Sequence, residues 1–296
     1  VTGPDSRSGR RRERGMIRRP MKGERRTEGQ LRAHYLVERE LADRLRNASR
    51  EERRRLYASV YNELYRRVPH HPQLTQKASP ETVRAVVSAQ VRILKSFLTP
   101  ETTFLEVGSG DCALSLEVAK LVKHVYAVDV SDEITKNLRP PANFRLVMSD
   151  GCSIPVPRGT VNVAYSNMLM EHLHPNDAFE QLRNIHEALA PGGIYLCVTP
   201  NRLSGPHDIS ICFDDVASGL HLKEYTVGEL SELFKKAGFS KVRVHVGARD
   251  RYALMPVFPS VASEKLLGVL PDGMRRSLAA GLPFRLLLGI RLVGIK

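Results

Sequence analysis

Three acidic residues stand where short apolar runs end: Glu106, Asp129 and Asp150. The first is followed by Gly108-Ser109-Gly110, at the point where an apolar run over 104–107 gives way to a helix pattern. A glycine turn between strand and helix lets a ligand approach the backbone closely and places it at the positive end of the helix. Gly108-x-Gly110-x-x-Ala113, with Asp129 about 20 residues further on, fits the dinucleotide fingerprint. Such a match alone is weak, and Glu106 argues against it. A pyrophosphate over this turn would be repelled by the neighbouring carboxylate. A carboxylate suits a nucleotide that carries positive charge instead.

S-adenosylmethionine carries an ammonium and a sulfonium. Asp129 can accept from both ribose hydroxyls, and Asp150 from the adenine amine. A fourth apolar run, 161–165, leads into Ser166-Asn167-Met-Leu-Met-Glu171-His172, which puts polar groups beside the methyl end of that ligand. All four points fall at the carboxyl edge of a sheet, where open α/β folds bind ligands.

The elements that position these residues are legible as alternating patterns. Strand signals cover 104–107, 124–128, 143–148, 161–165, 194–198 and 242–246. Helix signals run to about residue 123, over 176–189, and from the capping box Thr226-x-x-Glu229 to Gly238. Repeated β-α-β units imply a parallel sheet with helices on both faces. Upstream, Ala33, Leu36, Val37, Leu41 and Leu45 recur at helical spacing, and Ser49-x-x-Glu52 opens a second helix. On that helix Leu56, Val60 and Leu64 form one column and Tyr57, Tyr61 and Tyr65 the next. Tyrosines among arginines could stack on nucleic acid bases; the many glutamates nearby favour a helical cap that packs this face on the main domain. Ser79-Pro80-Glu81 opens a further helix with Val83, Val86, Val87, Val91 and Leu94 on its apolar side.

The chain has 296 residues, 42% of them apolar, no tryptophan and a formal net charge of +13. This composition excludes a disordered, collagen-like or disulfide-stapled protein. Residues 1–77 hold 21 Lys/Arg against 10 Asp/Glu, and residues 78–296 hold 24 against 22. The basic character, which points to nucleic acid or an anionic surface, therefore belongs to an N-terminal arm and not to the portion with the strand-end acids. Residues 1–30 read as a disordered basic tail, with Met16 and Met21 as alternative starts and no secretory apolar region after the charges. Residues 31–77 read as a helical extension or lid, and 78–296 as the main domain. Cys112, Cys152, Cys197 and Cys212 form no C-x-x-C or zinc spacing, which fits a reduced, cytoplasmic protein. No apolar run reaches about 18 residues, so no membrane span is expected.

Phe-Leu-Glu106-Val-Gly108-Ser-Gly110, Val125-Tyr-Ala-Val-Asp129-Val130, Met148-Ser-Asp150-Gly151, and Ser166-Asn167 through Glu171-His172 stand in a fixed order. They are followed by Leu189-Ala-Pro191-Gly192-Gly193 and Val198-Thr-Pro-Asn-Arg202. This ordered set, over about 80–250, resembles the class I S-adenosylmethionine-dependent methyltransferases, and its last stretch is similar to the small-molecule, ubiquinone-type O-methyltransferases. The resemblance implies a Rossmann-like seven-stranded sheet whose last strand is antiparallel, here expected at 285–293. Residues 251–284 would be an insertion before it, with a short helix at 263–269. It implies S-adenosyl-L-methionine as cofactor. Glu106, Gly108, Ser109 and Gly110 would hold its methionine and ribose part, Asp129 the ribose hydroxyls, and Val130 would lie against adenine. Asp150 and Gly151 would meet the adenine edge, and Asn167 would line the floor. Cys112 replaces the third loop glycine, which a negative φ would permit. Some relatives bind a metal through Glu-x-x-Glu-His; Met168 stands at the first position here, so no metal is expected.

Methyl transfer from a sulfonium is an in-line displacement that needs alignment and a dry site, plus a base only for a protonated nucleophile. His172, His207 and His221 are the candidate bases, with His207 favoured by its polar loop after the fifth strand. The expected acceptor is an oxygen or nitrogen of a small molecule. Two alternatives are an RNA- or ribosome-directed enzyme anchored by the basic arm, and a non-catalytic scaffold. No Asn/Asp-Pro-Pro-Tyr run follows the fourth strand, which speaks against base amines.

Overall fold

In a computed structural model, residues 17, 23–76, 78–133, 135–248 and 251–296 are described. Most of the tail assigned to 1–30 lies outside these residues. Eight strands form one sheet: β1 (Thr103–Val107), β2 (His124–Asp129), β3 (Phe144–Met148), β4 (Val161–Asn167), β5 (Leu189–Thr199), β6 (Lys241–Ala248), β7 (Arg251–Met255) and β8 (Ile290–Ile295). Their order is β3-β2-β1-β4-β5-β8-β6-β7. The first five are parallel, and β8 enters antiparallel between β5 and β6. The chain thus has the Rossmann-like sheet with an antiparallel last strand, extended by one edge strand. That strand, Arg-Tyr-Ala-Leu-Met, hairpins back on β6. Its weak alternation gives no strand signal, because neither face is fully covered.

The described residues open with two long helices, α1 (Glu28–Asn47) and α2 (Arg50–Arg67), each opened by a capping box, Thr27/Gln30 and Ser49/Glu52. A short turn, α3 (Pro72–Thr75), leads to α4 (Pro80–Leu94). Then follow α5 (Ala113–Ala119), α6 (Pro175–Ala188) and α7 (Val227–Lys236). The expected insertion is a small helical cap: α8 (Phe258–Gly268), α9 (Asp272–Ala280) and α10 (Phe284–Leu288). The final strand begins at Ile290, later than residue 285, because Pro283 and the Phe-Arg-Leu-Leu-Leu run turn as a helix first. β5 starts at Leu189, five residues before the expected 194, so Pro191-Gly192-Gly193 lies inside it.

Strand alternation divides the core. Leu105, Val107, Val128 and Tyr195 face a layer of α1, α2, α6 and α7. Phe104, Val125, Ala127 and Tyr165 face α4 and α5. Leu41, Leu45, Tyr57, Val60 and Leu64 belong to the first of these cores, so α1 and α2 pack on the sheet as expected of a cap. On α1 the buried face is Leu31, Tyr35, Leu41, Ala42 and Leu45, whereas Leu36 is exposed. Several arginines of these helices are matched by acids: Arg44 and Arg67 pair with Glu63, Arg67 with Glu40, and Arg50 and Arg54 with Glu180. Among the described residues no helix is long and apolar enough to cross a membrane.

Candidate functional site

A cavity of about 300 Å³ runs across the carboxyl ends of β3, β2, β1 and β4 under the roof made by α2. That volume lies at the lower end of the range for small-molecule sites. Gly108, Gly110, Asp129, Val130 and Gly151 line it, together with His172. Glu106, Ser109, Asp150, Asn167, His207 and His221 do not appear on its wall.

The alternation of β1 explains the first departure. Glu106 shares a strand face with Phe104, so its carboxylate points under α5, where Oε2 accepts the Ser115 hydroxyl at 2.5 Å. Only 7% of the residue is exposed. Burial raises its pKa to about 8, against the Ser115 hydrogen bond and with the help of Asp111 and Asp129. At neutral pH most of this group is protonated beneath the glycine turn. Above it, Gly108 and Gly110 have φ of +74° and +53°, the left-handed region that favours glycine. A β-carbon on Gly108 would stand 3.1 Å from the Leu169 methyls, while Gly110 has nothing within 4 Å. The turn is thus a cradle open on one side. Ser109 is tucked against β2 by its N–H to Val128 O, 3.2 Å. Cys112 departs from expectation, with φ +60° rather than negative. The tight entry into α5 forces a left-handed residue there, at a cost of about 1 kcal/mol.

Asp129 ties the cradle together. Its Oδ2 accepts the Gly110 N–H at 2.8 Å and its Oδ1 the Val130 N–H at 2.7 Å. Asp150 is engaged elsewhere: Oδ1 accepts the Cys152 and Ser153 N–H groups, and Oδ2 lies 3.2 Å from Arg54 Nε on α2. Asn167 ends β4 without reaching the cavity. Met168, at φ +53°, and Leu169 form the floor in its place.

The roof is locked to the sheet through α6. Arg53 makes a bidentate pair with Asp177 at 2.6 and 2.7 Å, both side chains buried, and the Tyr57 hydroxyl donates to the same carboxylate at 2.7 Å. The Tyr57 ring covers Gly151 so closely that a β-carbon there would stand 2.7 Å from it. Gln181 of α6 reaches the same spot, its Nε2 donating to Gly151 O at 2.7 Å.

The other end of the cavity is walled by Tyr61, Gln73, His172 and Leu220. His172 Nδ1 is 3.1 Å from Leu220 O and 2.9 Å from the Tyr61 hydroxyl. A carbonyl only accepts, so Nδ1 carries the proton and Nε2 the lone pair of the neutral ring. Burial, reinforced by His221, lowers the His172 pKa to about 4. His221 stacks edge-on against His172 at 4.8 Å, outside the cavity wall. Its Nδ1 meets Glu224 at 2.8 Å, and Glu224 also holds His207 at 3.2 Å. Burial pushes the Glu224 pKa up, but hydrogen bonds from His207 and His221 overcome it and hold the group at about 2. Of the three candidate histidines, the structure brings only His172 to the cavity. Glu171, His172 and His221 offer donor atoms within 4.8 Å of one another. Met168 adds no carboxylate to that group.

Residues not foreseen are Tyr57, Tyr61, Gln73, Gln181, Leu169 and Leu220 on the cavity wall. The tyrosine column of α2 was visible as a face, but not what it faces. Gln181 left a subtler sign: it is a polar residue among the inward positions Ala178, Leu182 and Ile185 of α6.

The family model for a methyltransferase domain matches residues 35–244. Over 138 residues the chain is 28% identical to a probable S-adenosylmethionine-dependent methyltransferase of Mycolicibacterium smegmatis, covering 46% of this chain and 51% of that protein. The chain thus spans about half the length of the curated relative it matches. Among solved structures, a SAM-dependent methyltransferase from Archaeoglobus fulgidus is similar at TM-score 0.48 and 20% identity, covering 72% of this chain and 94% of that one. Phosphoethanolamine N-methyltransferase 2 of Haemonchus contortus, in complex with S-adenosyl-L-methionine, is similar at TM-score 0.47 and 18% identity, covering 71% and 52%.

Proposed function

This chain belongs to the methyltransferase-domain family of S-adenosylmethionine-dependent enzymes, and from that premise we propose that it methylates an oxygen or nitrogen of a small molecule held under α2. One observation carries the acceptor reading. The cavity that begins at the glycine cradle ends against Tyr61, Gln73 and His172, beneath a helix roof, polar side chains suited to meet the hydroxyl or amine of a small acceptor. Six of the ten arginines of α1 and α2 are paired with acids, which reduces the positive face these helices could offer an RNA backbone.

The cavity fits S-adenosylmethionine by its own chemistry: a cradle open above Gly110, a carboxylate at the end of β2, and a buried acid under the turn. Bound, the cofactor supplies the electrophilic methyl carbon and its leaving group. Asp129 accepts from the ribose hydroxyls while it keeps the loop backbone in place. Glu106 does not touch the ligand; it acts through the turn, ionising as a cation settles above it. Tyr61 and His172 orient the acceptor. With Nδ1–H directed to Leu220 O, the Nε2 lone pair of His172 accepts the acceptor's O–H or N–H. Its low pKa keeps the ring neutral and available at pH 7. The roof excludes water and fixes the line of attack.

The test is a transfer assay with methyl-labelled cofactor across small-molecule and RNA fractions of a cell extract. Label in a small-molecule fraction, reduced in His172→Gln, is the expected result. Label confined to RNA would replace this reading by the RNA-directed one. No binding of the cofactor by calorimetry would overturn both.

A further inference from the structure

The positive charge outside the N-terminal arm is also unevenly placed. Residues 78–250 hold 17 Lys/Arg against 20 Asp/Glu, and residues 251–296 hold seven against two. The small cap α8–α10 therefore carries positive charge on an otherwise slightly acidic domain. Both of its acids are engaged. Glu264 is buried and accepts the Val227 and Gly228 N–H groups at 2.5 and 3.0 Å, and Asp272 pairs with Arg275 at 2.7 Å. Lys265 and Arg285 are exposed and have no acidic partner among the described residues.

The same cap is apolar on its outside. Val269, Phe258 and Leu282 are the three most exposed large apolar side chains among the described residues, at 80%, 75% and 68%. Leu266, Met274, Leu278 and Leu286 are exposed as well. On α8 the usual arrangement is reversed. Its buried positions are Ser260, Glu264 and Leu267, two of them polar, and Glu264 pins that side to the start of α7. Phe258, Ala262, Leu266 and Val269 recur at helical spacing and make the outward stripe. On α9, Met274 and Leu278 are exposed one turn apart while Ala279 is buried. A surface helix ordinarily turns its apolar stripe to the core. One that turns it outward needs a cover from outside its own fold.

The cover is a protein surface or a lipid surface. Protein interfaces are depleted in lysine and bury their aromatic anchors in a dry centre. Here Lys265 adjoins Leu266, and Arg285 adjoins Leu286. The most exposed apolar residues stand at helix ends: Phe258 opens α8, Val269 follows it, and Leu282 lies between α9 and α10. Separate apolar tips beside cations suit a bilayer, which takes up each tip on its own. Each Lys or Arg brought to an anionic leaflet adds roughly fivefold in binding.

We infer that the outer face of α8–α10 docks on an anionic membrane, with Phe258, Val269 and Leu282 entering the acyl boundary and Lys265 and Arg285 meeting the headgroup phosphates. Attachment is to one leaflet and is independent of which acceptor is methylated.

The chain has no tryptophan, so Phe258→Trp puts a single fluorophore at the proposed contact. The full chain carrying it is mixed with phosphatidylcholine vesicles with and without phosphatidylglycerol. With the anionic vesicles its emission is expected to shift to the blue and to be quenched by brominated acyl chains. Leu121→Trp, exposed beside α5 on the other layer of the sheet, is expected to do neither, which separates docking of the cap from adhesion of the basic N-terminal arm. Adding Val269→Ser and Leu282→Ser to the Phe258→Trp chain should raise the lipid needed for half the shift by about tenfold or more. Adding Lys265→Glu and Arg285→Glu instead should do the same. All these positions are exposed, so an unchanged melting temperature is expected throughout. No shift or quenching at Phe258→Trp, equal shifts at both tryptophans, or an unchanged lipid requirement in both multiple variants would each overturn the inference. A blue shift that grows with protein concentration in the absence of lipid would assign the face to a second copy and overturn it too.

Discussion

The two ends of the cavity are built in different ways. The end at β1, β2 and β3 is made of backbone: a glycine turn, N–H groups tied by Asp129, and a carbonyl at Gly151. Its parts come from residues 106–151, with Tyr57 and Gln181 reaching in from α2 and α6. The end at β4 is made of side chains from four distant segments: Tyr61, Gln73, His172 and Leu220. A nucleotide common to many enzymes can be held by a fixed backbone form. An acceptor specific to one enzyme must be met by side chains that can vary. Substitutions at the first end should therefore act on cofactor affinity, and those at the second on turnover.

The largest effect is expected where the roof joins both ends. Arg53→Ala leaves the Asp177 carboxylate buried and unpaired, and should cost about 3–5 kcal/mol of stability in denaturant unfolding. A loss under 1 kcal/mol would show that α2 does not depend on this pair. At the end assigned to the nucleotide, Asp129→Ala removes the carboxylate proposed to meet the ribose and frees the Gly110 N–H. Calorimetry should show binding of S-adenosylhomocysteine weakened about a hundredfold or more. Comparable binding would break the assignment of that end. At the acceptor end, His172→Gln should lower kcat by about 10²-fold while the affinity for S-adenosylhomocysteine changes little. A parallel loss of both would show that the two ends are not separable.

Glu106→Gln should give a smaller change, of opposite sign in stability and binding. The native Glu106 pKa, raised to about 8, lies above its unfolded value, so its contribution to stability is present below about pH 4.5 and lost as pH rises through 8. The variant has no such loss and should melt above the native protein, most clearly at pH 8 and beyond. It should also bind the cationic cofactor less well than the native protein at that pH. A native affinity for S-adenosylmethionine that does not rise from pH 6 to 9 would remove Glu106 from the binding account. The smallest effect is expected from chelation: treatment with EDTA should leave transfer unchanged, and a loss restored by a divalent ion would identify Glu171, His172 and His221 as ligands.

The same division explains what was legible in the sequence. Gly108, Gly110, Asp129, Val130 and Gly151 all stand on the cavity wall, because strand, turn and acid are adjacent along the chain. Glu106 and Asn167 were located correctly on their strands but not in their direction. Whether a strand-end side chain looks into the ligand or under the next helix depends on the parity of the strand and on what Ser115 offers beneath it. His207 seemed the better base because it follows β5 in a polar loop, yet Glu224 draws it away from the cavity. Tyr61 and His172 are 111 residues apart, and their meeting is set by how α2 crosses the sheet. Leu41, Leu45, Val60 and Leu64 show in the sequence as helical columns, but the angle at which their shared core sets α2 across the sheet is a tertiary fact.

The position of β8 bears on how the molecule is made. Every strand from β1 to β7 leaves the ribosome before it, yet β8 is the strand that joins β5 to β6. Without residues 290–295, β5 and β6 each lack a hydrogen-bonding neighbour on one edge. Such edges are templates for pairing with other chains. Pairing of β8 with both neighbours closes these two edges at once, so the sheet is continuous only when the segment most distant in the chain has joined it.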